Sequence, residues 1–264
     1  MIYWMAYLLV GSCAGILAGL LGVGGGIIIV PMLTFLFSME NMPAEHIAHL
    51  SLGTSLASIV FTSISSFRTH HAHGAVKWQI VRRISPGIVA GTLFGSWVAA
   101  RLTTGFLKGF FVLFIYVVAV QMLLNVKPAP HRELPGVPGM SFSGSIIGCI
   151  SSLVGIGGGS MSVPFMLWCN TPLHIAIGTS AAIGLPIAAA GAIGYIANGL
   201  AASNLPSMSA GFVYIPALIG ISGASICTAP IGARLAHRLP VLHLKRIFAI
   251  MLIGIGTKML LSLG

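Results

Sequence analysis

The sequence predicts an all-α polytopic membrane protein with two inverted repeats, each a Gly-broken helical hairpin followed by three transmembrane helices. Three observations lead to this prediction: the composition, a duplication of the chain, and an uneven distribution of Lys and Arg between loops. Only 6% of the 264 residues are charged, 56% are hydrophobic, and the mean hydropathy is +1.01. No water-soluble core of this length requires such a composition, so lipid is the solvent for most of the chain.

Apolar stretches mark the spans. Those close to the roughly twenty residues that a helix needs to cross a bilayer run at 46–67, 80–100, 107–125, 174–197, 211–232 and 246–263. Two longer stretches, 3–38 and 141–169, exceed a single span. The first of these has no basic start and is too long for a signal peptide, so we expect it to stay in the protein.

The two long stretches belong to an internal repeat. Gly-Val-Gly-Gly-Gly within Gly15–Pro31 recurs as Gly-Ile-Gly-Gly-Gly within Gly148–Pro164, at a constant offset of 133 positions (24 to 157). Three shorter motifs recur in the same order: Gly-Thr-Ser at 53–55 and 178–180, Ala-Arg-Leu at 100–102 and 233–235, and Leu-Lys at 107–108 and 244–245. We therefore divide the chain into a first membrane repeat, 1–126, a linker, 127–140, and a second membrane repeat, 141–264.

The basic residues predict how the repeats are oriented. Loop 68–83 carries four Lys or Arg residues, whereas its counterpart 198–211 carries none. Loop 234–246 also carries four, more than its first-half counterpart, which holds Arg101 and Lys108. The basic residues of the two rich loops are Arg68, Lys77, Arg82, Arg83, Arg234, Arg238, Lys245 and Arg246. Because Lys and Arg collect on the cytoplasmic side, equivalent loops should lie on opposite faces of the membrane.

Opposite faces require inverted repeats with an odd number of crossings each, so each Gly-broken segment should leave and return on the same side. The linker then lies inside, and both termini and the loop that contains Glu40 and Glu45 lie outside. The alternative, eight spans in two repeats of the same orientation, does not place both basic loops inside.

The glycine runs predict helix breaks, since each glycine costs about 1 kcal/mol in a helix relative to alanine. Pro31 and Pro164 follow within about a turn or so, which favours a new half-helix after each run. The first amides of such a helix lack partners and carry the positive end of the helix dipole, so they favour an anion. The predicted substrate-binding glycines are Gly24, Gly25, Gly26, Gly157, Gly158 and Gly159. The alternative is that glycines only allow helices to pack closely.

Polar residues near the Gly-Thr-Ser motifs are further candidates. Thr54, Ser55, Thr179 and Ser180 can donate hydroxyl protons to the substrate, although Ser and Thr commonly bond their own helix carbonyls. His49 and His174 each stand four residues before the motif, although His46-Ile-Ala aligns with His174-Ile-Ala equally well. They are candidates for proton coupling or anion contact, with an ordinary interfacial histidine as the alternative.

Several functions are excluded or disfavoured. The chain has no Asp, and its three Glu residues, Glu40, Glu45 and Glu133, fall in predicted loops, so a cation site built on acids is disfavoured. No Cys or His spacing indicates a metal site or a cofactor, and we expect none. We expect no enzyme, because there is neither an aspartyl pair nor an H-E-x-x-H motif. The basic residues lie at span ends, which disfavours nucleic acid as a partner.

The ordered set of motifs, together with Gly-Ala-Arg-Leu-Ala-His-Arg-Leu-Pro at 232–240 and Lys-Arg-Ile-Phe at 245–248, resembles the TauE/SafE family of sulfite exporters. The resemblance implies a secondary permease of the cell inner (cytoplasmic) membrane that moves sulfite, a sulfonate or a related sulfur-containing or organic anion. Its partners would be that anion and the lipid bilayer. From the residues alone we expect alternating access around the glycine runs, and a passive anion channel stays open as the alternative.

Overall fold

The structure, a computed structural model, describes residues 2–22, 24–124, 134–236 and 241–261, without the side chains of Ile2 and 241–247. Residues 127–133 of the predicted linker, with Glu133, and Arg238 of the second basic loop lie outside this part. Ten α-helices and one short hairpin of two strands make up the described residues: α1 Ile2–Leu21, α2 Gly26–Met39, α3 Ile47–Ala72, α4 Trp78–Ala99, α5 Thr104–Leu123, α6 Val137–Val154, α7 Gly159–Trp168, α8 Leu173–Gly199, β1 Ser209–Ala210, β2 Val213–Tyr214, α9 Ile215–Ala236 and α10 Val241–Leu261. The prediction of an all-α chain is confirmed.

Six helices among the described residues are long and apolar enough to cross a membrane. They are α1 from Tyr3 onward, α3, α5, α6, α8 and α9. The two helices that follow the glycine runs are shorter, with 14 residues in α2 and 10 in α7. The chain therefore has the architecture of a multi-pass membrane protein with two half-length helices.

Most helices pack against helices of the other half of the chain. Helix α1 packs mainly on α9, and its repeat mate α6 packs mainly on α4, the mate of α9. Helices α3 and α8 pack on each other and likewise on the opposite half's α9 and α4, while α5 packs on α10. Each helix thus finds its main partner in the other half, except the half-helices α2 and α7, which lie on α3 and α8. The core is shared between the halves.

The first glycine-broken segment is a hairpin. A side chain added at Gly25, just before α2, would place its Cβ 2.8 Å from the carbonyl oxygen of Ala14 in the middle of α1. At the far end of α2, the Met39 carbonyl accepts a hydrogen bond of 3.2 Å from the hydroxyl of Tyr3, near the start of α1. The chain therefore enters and leaves the helical bundle at the same end.

The starts of α1 and α6 lie beside different partners. The start of α1 lies beside the end of α2, whereas near the start of α6 the hydroxyl of Ser141 donates to the carbonyl of Arg83 in the first turns of α4, at 3.3 Å. The end of α4 in turn lies beside the start of α3, where Nε2 of His49 is 3.1 Å from the carbonyl oxygen of Ala99.

Many helical glycines serve close packing, as the sequence-based alternative holds. A Cβ at Gly91 of α4 would lie 2.0 Å from the carbonyl oxygen of Ser145 in α6, and one at Gly232 of α9 would lie 1.9 Å from that of Ile16 in α1. Such distances are possible only without a side chain, so these positions fix how closely the exchanged helix pairs approach.

We predict that Gly91→Ala lowers the melting temperature of the detergent-purified protein by several degrees. The added methyl group meets a backbone carbonyl that cannot move alone, and overpacking of this kind costs about 1–3 kcal/mol. Gly223→Ala in α9 is the matched control, because a Cβ there has nothing within 4 Å. Fluorescence-detected size-exclusion chromatography after heating measures both; equal melting temperatures would contradict the packing role of Gly91.

Candidate functional site at the helix breaks

Left-handed glycines break the helices at both runs. The backbone φ angle is +66° at Gly22, +79° at Gly24 and +78° at Gly25 in the first half, and +70° at Gly155 and +75° at Gly158 in the second. Side chains rarely tolerate this conformation, whereas glycine adopts it at little cost. Gly25 and Gly158 each occupy the cap position directly before a half-helix, α2 and α7 respectively.

The two breaks touch each other. A Cβ at Gly24 would lie 3.0 Å from the Cα of its repeat mate Gly157, and a Cβ at Gly26 would lie 2.3 Å from the carbonyl oxygen of Gly155. All six glycines predicted to bind substrate, Gly24–Gly26 and Gly157–Gly159, are buried. The fold thus brings together two segments that are far apart in the sequence, with backbone against backbone.

Both half-helices begin with unpaired amides. The first helical hydrogen bonds come from Ile28 to the carbonyl of Gly25 and from Met161 to the carbonyl of Gly158, each at 3.0 Å. Within the described part of the chain, the amides before these donate no hydrogen bond; they belong to Gly25, Gly26 and Ile27, and to Gly158, Gly159 and Ser160. Unpaired donors and the positive helix-dipole ends therefore lie at both breaks.

Two serines brace the breaks. The hydroxyl of Ser55 in α3 donates to the carbonyl of Gly155 at 2.8 Å, and that of Ser180 in α8 donates to the carbonyl of Gly22 at 2.9 Å. Each bond runs from one half to the break of the other half. Because a serine hydroxyl has one proton, these two protons are already donated to carbonyls in this conformation.

The neighbouring threonines hold the segments that precede α9 and α4. The hydroxyl oxygen of Thr54 accepts from the amide of Tyr214 at 2.9 Å, and that of Thr179 accepts from the amide of Lys77 at 3.0 Å. Both are fully buried. The structure thus gives the four hydroxyls a positioning role, which the sequence did not reveal, and their contact with substrate stays a prediction.

The two candidate histidines lie in different surroundings. His49 is buried, with its ring 5.0 Å from that of Phe212 and Nδ1 without a hydrogen-bond partner in the described residues. His174 is exposed in the first turn of α8. The structure does not bring the two rings together, and their role in proton coupling stays a prediction.

Glu40 lies at the end of the first hairpin, where its carboxylate accepts a hydrogen bond from the hydroxyl of Tyr7. Burial raises the pKa of Glu40, while this hydrogen bond acts in the opposite direction. Glu40 is partly buried. The length of α2 separates its carboxyl from the glycine break.

A cavity of about 460 Å³ lies beside the same half-helix, between α2, α5 and α10. Its lining includes Lys108 and Lys258, and the ammonium group of Lys258 lies 4.0 Å from the ring centroid of Phe35. A narrow space next to it reaches Val30 and Leu52. These two side chains also flank Gly155 at the break.

Buried serines around the second break were not among the predicted site residues. One of them is Ser160, whose hydroxyl has no hydrogen-bond partner in the described residues. A signal for them exists in the repeat itself. Ser151, Ser160 and Ser162 stand where the first copy has Ala18, Ile27 and Ile29.

Comparison with known proteins identifies the family and leaves the substrate open. The family model of sulfite exporter TauE/SafE matches residues 7–259. A probable membrane transporter protein of Haemophilus influenzae is 37% identical over 256 residues, which cover 97% of each chain. Probable membrane transporter proteins of Bacillus subtilis (91% of this chain, 94% of the relative) and Methanocaldococcus jannaschii (96% and 94%) are each 27% identical. No solved structure matches.

We predict that Ser55→Ala and Ser180→Ala each lower the melting temperature by a few degrees. Each change leaves a buried carbonyl at a break without its donor, which costs about 1–3 kcal/mol. Ser12→Ala is the control, because the Ser12 hydroxyl bonds only the Leu8 carbonyl of its own helix. Melting temperatures that fall no further than in this control would show that the two serines do not brace the breaks.

Proposed function

This chain belongs to the sulfite exporter TauE/SafE family, and we propose on that premise that it is a secondary transporter for a small anion in the cytoplasmic membrane. The substrate is sulfite, a sulfonate or a related sulfur-containing or organic anion. The family description and the names of the relatives support a membrane transporter rather than an enzyme. The helix starts support an anion as the substrate, and the family description supports one that contains sulfur.

The observation that carries the proposal is the meeting of two helix starts with unpaired amides. Each start is equivalent to roughly half a positive charge, and each unpaired amide in an apolar interior costs several kcal/mol. Gly24 and Gly157 lie in backbone contact, so both positive ends lie close to one point. An anion that accepts these hydrogen bonds removes the cost and gains the electrostatic attraction, without a buried Lys or Arg.

Inverted repeats are the arrangement that the packing supports. Helix α1 starts beside the end of α2, whereas its mate α6 starts beside the start of α4. The main helix pairs join one half of the chain to the other. With the basic loop 68–83 in the cytoplasm, the end of the bundle that carries Glu40 faces outward.

We place alternating access around the breaks, with the two hairpins moving against the remaining helices. The burial of all six glycines describes a closed centre. A closed centre suits a carrier that opens to one side at a time better than it suits an open pore.

Transport in proteoliposomes tests the proposal. We expect saturable uptake of radiolabelled sulfite or sulfoacetate that an internal anion of the same class accelerates. Flux that rises linearly with concentration, without acceleration by internal anion, would indicate the passive channel instead. No flux for any of sulfite, thiosulfate, sulfoacetate, taurine and simple carboxylates would contradict the proposed substrate class.

Gly158→Ala should reduce this uptake at least tenfold while the protein stays folded. Alanine in the left-handed region costs about 1–2 kcal/mol, and its Cβ would lie 2.3 Å from the flexible end of Ile187, which can move. Gly74→Ala is the matched control, because Gly74 has a similar φ of +70° but open space around it in the α3–α4 loop. Equal uptake by the two variants would remove the second break from the substrate site.

A further inference from the structure

We propose that the two breaks are not equivalent, and that the anion is bound by the second one, where the start of α7 is joined by the hydroxyls of Ser63 and Ser160. The first break, at the start of α2, then adds the positive end of its helix dipole nearby but no side-chain hydroxyl. This inference rests on the proposed function and assigns the substrate contacts within it.

The repeats differ in polarity around the breaks. Four serines accompany the second break, and the repeat mate of each serine is an apolar residue. The pairs are Ser151 and Ala18, Ser160 and Ile27, Ser162 and Ile29, and Ser63 and Ala188. In the last pair the serine belongs to the first half. Ser55 and Ser180 make equivalent hydrogen bonds to the opposite breaks, and when α3 and α8 are aligned on these two serines, Ser63 matches Ala188.

The hydroxyl of Ser63 lies at the second break. A Cβ at Gly184 of α8 would lie 2.7 Å from the Oγ of Ser63 and 3.3 Å from the carbonyl oxygen of Gly157. The mate of Gly184 in α3 is Ile59, whose Cγ2 would lie 3.1 Å from a Cβ at Gly24. An isoleucine therefore fills the space beside the first break, whereas beside the second break a glycine leaves that space to a hydroxyl.

The hydroxyls of Ser63 and Ser160 have no hydrogen-bond partner among the described residues. Ser63 is 2% exposed and Ser160 is 8% exposed, and neither Oγ makes a hydrogen bond within the described residues. Ser162, by contrast, pairs with Ser180 at 2.8 Å. Buried polar groups are nearly always hydrogen-bonded, and an unpartnered one needs an explanation. The simplest explanation at a helix start with unpaired amides is a ligand that accepts hydrogen bonds.

The donor set defines the ligand chemistry. Two hydroxyls and the amides of Gly158, Gly159 and Ser160 are all neutral donors, and among the described residues no buried Lys or Arg accompanies them. Several donors at one helix start suit an anion with several acceptor oxygens, such as a sulfite or a sulfonate group. The first break has the amides but lacks the hydroxyls, since Ile27 and Ile29 replace the serines.

Binding of sulfite and of methanesulfonate to the detergent-purified full-length protein tests the inference, with isothermal titration calorimetry for affinity and thermal unfolding for stability. Ser63→Ala and Ser160→Ala should each weaken binding at least tenfold and leave the melting temperature of the ligand-free protein unchanged or higher. Neither hydroxyl has a hydrogen-bond partner to lose among the described residues, so a purely structural serine would not give this combination.

Ser66→Ala is the matched control, because Ser66 is also 2% exposed and also lacks a hydrogen-bond partner in the described part of the chain, but lies about a turn further along α3. It should bind both anions like the unmodified protein. Unmodified affinity in the Ser63 and Ser160 variants, or an equal loss in the Ser66 variant, overturns the asymmetric site while the proposed function stands. If the unmodified protein binds neither these two anions nor thiosulfate, taurine or a simple carboxylate, the proposed function itself fails.

Discussion

Helices that stop in the middle of a membrane protein leave backbone amides and carbonyls that lipid cannot satisfy. Hydrocarbon supplies no hydrogen bonds, so helices that stop inside the bundle must end where other groups, or a ligand, satisfy them. The fold meets part of this demand with the protein's own side chains, since Ser55 and Ser180 each satisfy a carbonyl at the opposite break. Within the described residues the amides at the starts of α2 and α7 stay unpaired, which is why we propose an anion there.

This constraint also explains the exchange between the halves. The breaks can touch only if Gly24 and Gly157 approach without side chains, and α3 and α8 must lie close enough to brace both. The outer pairs, α1 with α9 and α4 with α6, approach through glycines such as Gly232 and Gly91. The glycines therefore have two separate tasks: left-handed breaks at the centre and close packing elsewhere.

Much of the fold is readable from the sequence because its signals are local. Apolar length predicts the long helices, and the repeated glycine runs predict the breaks and the half-helices, as the structure confirms. The partners of α1 and α4 are not readable from the sequence, because any apolar helix with a glycine face fits several neighbours.

The candidate site likewise has features that the sequence predicts and features that only the structure shows. The glycines were predicted, whereas the acceptors of Ser55 and Ser180 lie 100 and 158 positions away in the sequence. Ser58 and Thr62 bond their own helix carbonyls, as helical hydroxyls commonly do. Only three-dimensional geometry shows that Ser63 does not.

Anion binding at the second break can be tested with a crystal structure of the protein soaked with selenite and recorded at the selenium absorption edge, because selenium replaces sulfur in the proposed class of anion and is located by its anomalous signal. We expect one strong anomalous peak at the start of α7, with the selenite oxygens within hydrogen-bonding distance of the amides of Gly158 and Gly159. Selenite bound only elsewhere, for example in the cavity beside Lys108 and Lys258, would show that the second break is not the anion site.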